Sequence, residues 1–304
     1  MSRSLFSIKT VNGDLLKGYS WVVDDAVANL IIVTGMEEYL GRYDDFAKFL
    51  NNNKINVYGV DHYGQGLNAP KEADLSIVPP SFFSKSVRVI NDITKKVKKN
   101  GKPIIIFGHS MGSFIVQDYV QRFANNCSEE KIIICGSNGP NAKLLFKLGY
   151  FLARVTTSEK SKNQKSKFVA SMATGSYAKK IKNHKTSFDW LSYNEENVKK
   201  YIDDKLCGYG SSKIFYREFL KGNARLFNKK FIGKINKDSK IFIIAGEDDP
   251  VGDFSKGPKA LFKLYQDVGV KNVDLKIYKN MRHEILNEKD HQIVYDDILN
   301  FINN

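Results

Sequence analysis

The apolar positions of this chain follow two alternating rhythms. Short aliphatic and β-branched runs, of the kind that bury both faces of a strand, occur at 30–33, 55–61, 103–107, 131–136, 240–246 and 274–278. Between them lie longer stretches with apolar residues at helical spacing, at 43–50, 81–98, 113–123 and 259–267, and a last helical stretch reaches residue 302. Near-continuous apolar strands alternating with amphipathic helices predict an α/β fold with a parallel sheet covered on both faces. Ahead of this pattern, residues 5–10 and 17–23 flank Asn12-Gly13, a hairpin signal.

The rhythm breaks once. From Leu144 to about Lys234 there is no clear strand pattern, only helical segments, aromatic residues and many lysines, Lys160, Lys162, Lys165, Lys167, Lys179 and Lys180 among them. The expected division is therefore a core made of residues 1–140 and 236–304, interrupted by a helical cap at 141–235. An insertion over the C-terminal edge of such a sheet is where a lid belongs.

Composition narrows the picture in three ways. Of 304 residues, 42% are hydrophobic and 12% aromatic, enough for a sizeable core. The N-terminus lacks a signal-peptide run, and no stretch approaches membrane-spanning length. Cys127, Cys135 and Cys207 are too few and too scattered for a disulfide framework or a zinc site, so a cytoplasmic chain with reduced thiols is expected. The formal charge of +14 suits an anionic membrane surface or an acidic substrate. Its lysines form no arm and interleave with no aromatic motif, so no nucleic-acid partner is expected.

The candidate chemistry centres on Gly108-His109-Ser110-Met111-Gly112. A strand pattern precedes this G-x-S-x-G pentapeptide and a helix pattern follows it, the setting of a nucleophile elbow with Ser110 at the corner. Little more than glycine fits on either side of so sharp a turn, and the helix N-terminus below favours developing negative charge. A serine needs a base, and the base an orienting acid. In this kind of fold the order is nucleophile, acid, histidine. The acid is sought in Gly246-Glu247-Asp248-Asp249-Pro250, after a late strand; Asp249 is preferred, with Asp248 and Glu247 close competitors. The base is sought after the final strand, where His283 stands. Of the other four histidines, His62 precedes the nucleophile and His109 sits inside the elbow, facing away from Ser110. His184 falls in the insertion and His291 in the last helix. An oxyanion hole is expected from the backbone N–H of Met111 and of Met36, the latter on the Gly35 bend after residues 30–33.

These stretches together resemble the monoacylglycerol lipase and lysophospholipase family of α/β-hydrolases. The resemblance rests on Gly35 with Glu38 and Gly41-Arg42-Tyr43, on Asp61-His62-Tyr63-Gly64-Gln65-Gly66, and on the elbow. It continues through Gly246 with Asp249-Pro250-Val251 and through 282–288, with fainter likeness at 188–192 and 207–209. It implies an α/β-hydrolase fold with a helical cap, Ser110, Asp249 and His283 as triad, and Met36 and Met111 as backbone donors. Four positions depart from the family pattern: Thr34, Tyr39 and Gln65 stand where it usually has histidine, and Glu37 where it often has glycine.

The activity expected is hydrolysis of a monoacyl lipid ester, a monoacylglycerol or a lysophospholipid, through an acyl-enzyme and without cofactor or metal. The apolar stretch 144–152 is expected to line the acyl tunnel or touch a bilayer, giving peripheral contact with an anionic membrane surface. An aminopeptidase of the same fold is the competing enzyme; a ligand-binding protein on a hydrolase fold is the competing non-enzyme.

Overall fold

The computed structural model describes residues 3–126, 130–165 and 175–304. Cys127 and Lys167 lie outside them. Eight strands form one sheet, β1 (Ser4–Lys9), β2 (Leu15–Trp21), β3 (Ala28–Val33), β4 (Ile55–Val60), β5 (Ile104–His109), β6 (Glu130–Cys135), β7 (Lys240–Gly246) and β8 (Asn272–Tyr278). Their order across the sheet is β1-β2-β4-β3-β5-β6-β7-β8. β1 and β2 run antiparallel, as the Asn12-Gly13 hairpin requires, and every pairing from β4 to β8 is parallel.

The helices are α1 (Asp44–Asn52), α2 (Phe82–Val97), α3 (Met111–Arg122), α4 (Lys143–Thr156), α5 (Ser176–Lys180), α6 (Glu195–Asp203), α7 (Lys213–Leu226), α8 (Lys229–Ile232), α9 (Lys256–Asp267) and α10 (Gln292–Asn303). The central strands carry near-continuous apolar runs, such as Leu30-Ile31-Ile32-Val33 and Ile104-Ile105-Ile106-Phe107, because both sheet faces are covered there. Ile31, Ile106, Ile132 and Ile243 pack on one side with Val87 of α2, Ile115 of α3 and Leu261 of α9. Their neighbours Ile32, Ile105, Ile133 and Ile244 pack on the other with Phe46 of α1 and Ile298 of α10. The period of two in the side chains thus divides one sheet between two cores.

Among the described residues, the segment between β6 and β7 carries α4 to α8 and no strand, only an isolated bridge between Lys165 and Ser212. It has its own small apolar cluster, in which Trp190, Leu191 and Tyr201 are buried with Val251 of the core. α4 lies along α7, and Gly149 leaves room there for the Leu220 side chain; a Cβ at 149 would sit 3.2 Å from Leu220 Cδ2. Helix boundaries shift by a few residues from the sequence pattern. α9 begins at Lys256, three residues earlier than expected, because Pro258 is well placed in a first turn. Among the described residues no helix is long and apolar enough to cross a membrane.

Candidate active site

Four loops, at the C-terminal ends of β3, β5, β7 and β8, meet around Ser110. The elbow is tight. Ser110 has φ 51° and ψ −118°, a left-handed backbone that a non-glycine residue holds only under constraint. Its N–H donates to Cys135 O at 3.0 Å, and its own carbonyl accepts from Ser113 N–H at 2.9 Å. The flanking glycines are steric necessities. A Cβ on Gly112 would lie 2.0 Å from Val33 O, and one on Gly108 2.6 Å from Gly112 O.

His283 and Asp249 are both buried, and His283 Nδ1 lies 2.9 Å from Asp249 Oδ2. Asp249 is fixed in turn, its Oδ1 accepting from Val251 N–H at 2.8 Å. The competing acids point elsewhere: Glu247 is exposed, and Asp248 accepts from the Tyr193 hydroxyl at 3.0 Å. Among the described residues, His283 Nε2 has no hydrogen-bond partner. The Trp190 ring, 5.1 Å away between centroids, shields the imidazole from solvent. The other histidines are occupied differently. His62 Nε2 contacts Thr34 O at 3.1 Å, and burial holds its pKa down to about 4. His184 contacts Ile181 O and His291 contacts Glu288 O.

The loop after β3 carries Met36 and Glu37. Gly35 allows the loop to pass over the nucleophile; a Cβ there would stand 3.1 Å from Ser110 Cβ. Met36, Met111 and Ser110 all line one cavity of about 230 Å³. Leu145, Leu148 and Leu152 of α4 and Phe219 and Leu220 of α7 form its apolar wall.

Behind this cavity lies a buried charge cluster that the sequence pattern did not reveal. Arg42 pairs with Glu38 at 2.9 Å and with both oxygens of Glu284, at 2.6 and 2.8 Å. Its guanidinium lies 4.8 Å over the Tyr201 ring. Glu38 also accepts from the Tyr43 hydroxyl and contacts His109 Nδ1 at 3.1 Å. Burial would raise the Glu38 carboxyl, but the hydrogen bond and charge of His109, with Arg42 behind them, hold it down to about 2. Burial likewise opposes a charge on His109, and Glu38 overcomes it, raising the imidazole above its ordinary value. His109 Nε2 then reaches His283 O at 3.3 Å, so the cluster braces the loop that carries His283. Glu38, Arg42 and Glu284 stand within the stretches that carry the family resemblance. Nothing in their spacing, 242 residues between Arg42 and Glu284, announces a pair.

An elbow serine on an eight-stranded, mostly parallel sheet covered by helices on both faces defines an α/β-hydrolase. A family model described as serine aminopeptidase, S33, matches residues 24–290, and the chain belongs to that family. It is 24% identical over 303 residues to a monoacylglycerol lipase of Mycolicibacterium smegmatis, spanning 99% of this chain and 97% of that protein. It is 22% identical over 280 residues to a phospholipase of Bacillus subtilis, spanning 91% and 95% of the two chains. Among solved structures, a thermostable carboxyl esterase from Bacillus coagulans, in complex with glycerol, superposes with a TM-score of 0.87 at 24% identity, over 100% of this chain and 98% of that one. A monoglyceride lipase variant from Saccharomyces cerevisiae, bound to a substrate analogue, gives 0.76 at 18% identity, over 99% and 95%.

Proposed function

We propose that the chain is a serine carboxylic-ester hydrolase acting on a monoacyl lipid, a monoacylglycerol or a lysophospholipid. The observation that carries this reading is the apolar cavity at Ser110, next to a buried His283–Asp249 pair whose Nε2 is unpaired. In the reaction, His283 Nε2 takes the Ser110 proton as Oγ attacks the ester carbonyl. Asp249 holds the ring with its proton on Nδ1 and stabilises the imidazolium that forms. The oxyanion accepts from Met36 N–H and Met111 N–H. His283 then gives its proton to the leaving alcohol, and a water molecule, activated by the same imidazole, releases the fatty acid from Ser110.

Residues 141–235 act as the cap over the core, with α4 between substrate and surface. One side of α4 lines the acyl cavity through Leu145, Leu148 and Leu152. Leu145 and Leu148 are themselves 67% and 55% exposed, and Leu144, Phe151 and Val155, at 76%, 59% and 63%, extend the apolar surface that would enter the interface of an anionic membrane surface.

The relatives named lipase and phospholipase support a lipid ester, while the family description keeps the aminopeptidase in view. An aminopeptidase must offer a carboxylate to the substrate's ammonium. Glu37 is the one acidic side chain lining the cavity among the described residues, and its two oxygens already accept from Ser211 Oγ and Gly210 N–H.

The test is hydrolysis of p-nitrophenyl esters of increasing chain length, monoacylglycerol, lysophosphatidylcholine and an aminoacyl-anilide by wild type and Ser110→Ala. Ester turnover that falls by at least about a thousandfold in Ser110→Ala is expected. Anilide cleavage without ester cleavage would sink the esterase in favour of the peptidase.

A further inference from the structure

Every polar group of Glu37 is bonded, and most of the bonds lead out of its own loop. Its N–H donates to Gln65 Oε1 at 3.0 Å. Its carbonyl accepts from Gly208 N–H at 3.1 Å and from the Tyr201 hydroxyl at 3.0 Å. Its carboxylate accepts from Gly210 N–H at 3.1 Å and from Ser211 Oγ at 2.6 Å. Four of these five partners, all four of them donors to Glu37, therefore belong to the segment between β6 and β7. Glu37 also holds φ at 57°, a left-handed backbone that glycine would adopt freely and that a glutamate keeps only if its surroundings insist. A buried carboxylate beside an apolar cavity costs desolvation, which the Ser211 and Gly210 donors partly offset.

The segment that Glu37 grips is tied to the cavity wall. Ser212 N–H donates to Ser76 Oγ at 2.8 Å, and Ser212 Oγ to Ser76 O at 2.6 Å. The same hydroxyl oxygen caps α7 by accepting from Phe215 N–H at 3.3 Å. α7 then presents Phe219 and Leu220 to the acyl cavity. The acyl wall, the 208–212 segment and the residue after Met36 thus form one continuous bonded path.

We propose that Glu37 is a positioning residue that latches the oxyanion loop to 208–212, so that Met36 N–H is set for the oxyanion only while the 141–235 cap is docked. This rests on the triad and oxyanion assignment above and goes beyond it by making the cap a condition for catalysis as well as a wall for substrate. A cap that lifts breaks four hydrogen bonds to Glu37 and frees a strained residue next to the donor. An acyl chain that fills the cavity holds α7, and through it the latch.

The probe is a long-chain alkyl trifluoromethyl ketone: Ser110 Oγ bonds to its carbonyl carbon, the serine proton passes to His283 Nε2, and the carbonyl oxygen is left as a tetrahedral oxyanion in the hole. The variants are Glu37→Gly, which removes the carboxylate and relieves the left-handed strain, and Glu37→Gln, which keeps the shape and one acceptor. In wild type the ketone should slow hydrogen exchange at the Gly208 and Gly210 amides by about tenfold or more. In Glu37→Gly that protection should disappear at Gly210, with kcat on monoacylglycerol down about tenfold to a hundredfold and KM within about threefold; losing one oxyanion donor outright costs 10²–10³. Glu37→Gln should fall between the two. Wild-type kcat in Glu37→Gly overturns the latch, as does exchange at 208–212 that ignores the bound ketone in wild type. A ketone that fails to bind wild type at Ser110 removes the triad assignment itself, a result separable from the other two because binding is read directly from the covalent adduct mass.

Discussion

At the scale of single residues, the site depends on which of several chemically equal side chains faces the right atom. Asp248 and Asp249 are adjacent and identical in type, yet Asp249 is buried against His283 and Asp248 reaches the surface tyrosine Tyr193. Asp249→Asn should therefore drop kcat by about 10⁴, because an amide favours the wrong imidazole tautomer, while Asp248→Asn should stay within about threefold. Steady-state kinetics on a short-chain ester measures both; equal losses would contradict the assignment. Asp61 and His62 make a second adjacent pair with opposite pH behaviour. Burial raises Asp61 to about 6 and lowers His62 to about 4. Between pH 6.5 and 4, the unfolded chain takes a proton on His62 that the native state refuses, so acid removes stability there. Over nearly the same range native Asp61 takes a proton that its unfolded form binds only near pH 3.8, so acid adds stability. The two contributions oppose one another in the wild type. Asp61→Asn removes one, so its stability should fall more steeply than wild type between pH 6.5 and 4.5, by of order 2 kcal/mol across the range. Urea midpoints against pH read the slope, which is independent of the constant loss from whichever of the Leu40 and Leu67 hydrogen bonds the amide no longer accepts.

At the scale of elements, the elbow is a junction where β5, α3 and the end of β3 occupy nearly the same space. Gly112→Ala would drive a methyl group to within 2.0 Å of Val33 O, a rigid backbone atom in the sheet centre. Its cost should be of order 3–5 kcal/mol, read as a lower Tm, whereas Gly101→Ala meets nothing within 4 Å and is penalised only for its φ of 74°. Chain-local patterning made these elements readable. Strands buried on both faces are uniformly apolar, helices carry a 3.6-residue period, and the elbow has its own five-residue spelling. Ser110 and His283 were legible for that reason, one from a motif and one from its place after the last strand. Asp249 is preferred over its neighbours Asp248 and Glu247, but the sequence alone separates the three carboxylates only weakly, because they differ by where the chain turns after β7. The Arg42–Glu284 pair and the grip of Glu37 on 208–212 were not legible. They join residues far apart in sequence, and their partners, Gly208 and Gly210, contribute backbone N–H groups that any residue type would supply. The segment between β6 and β7 was readable as helical but not in its packing, because its apolar residues serve the cavity, its own small core and the surface at once.

At the scale of the whole molecule, the proposed membrane contact would draw on both the charge of +14 and the exposed apolar surface of α4. Leu144, Phe151 and Val155 lie on one helix with Lys143, Lys147 and Arg154 between them, so an apolar ridge sits among cations. Neither feature suffices alone: the ridge is small, and scattered surface lysines bind weakly at physiological salt. Joined, they should hold the protein on anionic vesicles and bring the mouth of the cavity to lipid, since Leu145 and Leu148 of the same helix line that cavity. Phosphatidylserine-containing vesicles should bind the wild type at 0.1 M salt, and binding should fall steeply by 0.5 M as the Debye length shrinks from about 10 Å to under half that. Leu144→Asp with Phe151→Asp should abolish vesicle binding at either salt and slow hydrolysis of vesicle-borne monoacylglycerol, with turnover of a short soluble ester unchanged. That split separates a docking defect from an active-site defect. Binding that survives the double substitution would assign membrane attachment to another face of the molecule, and a parallel loss on the soluble ester would mean that α4 serves the cavity alone.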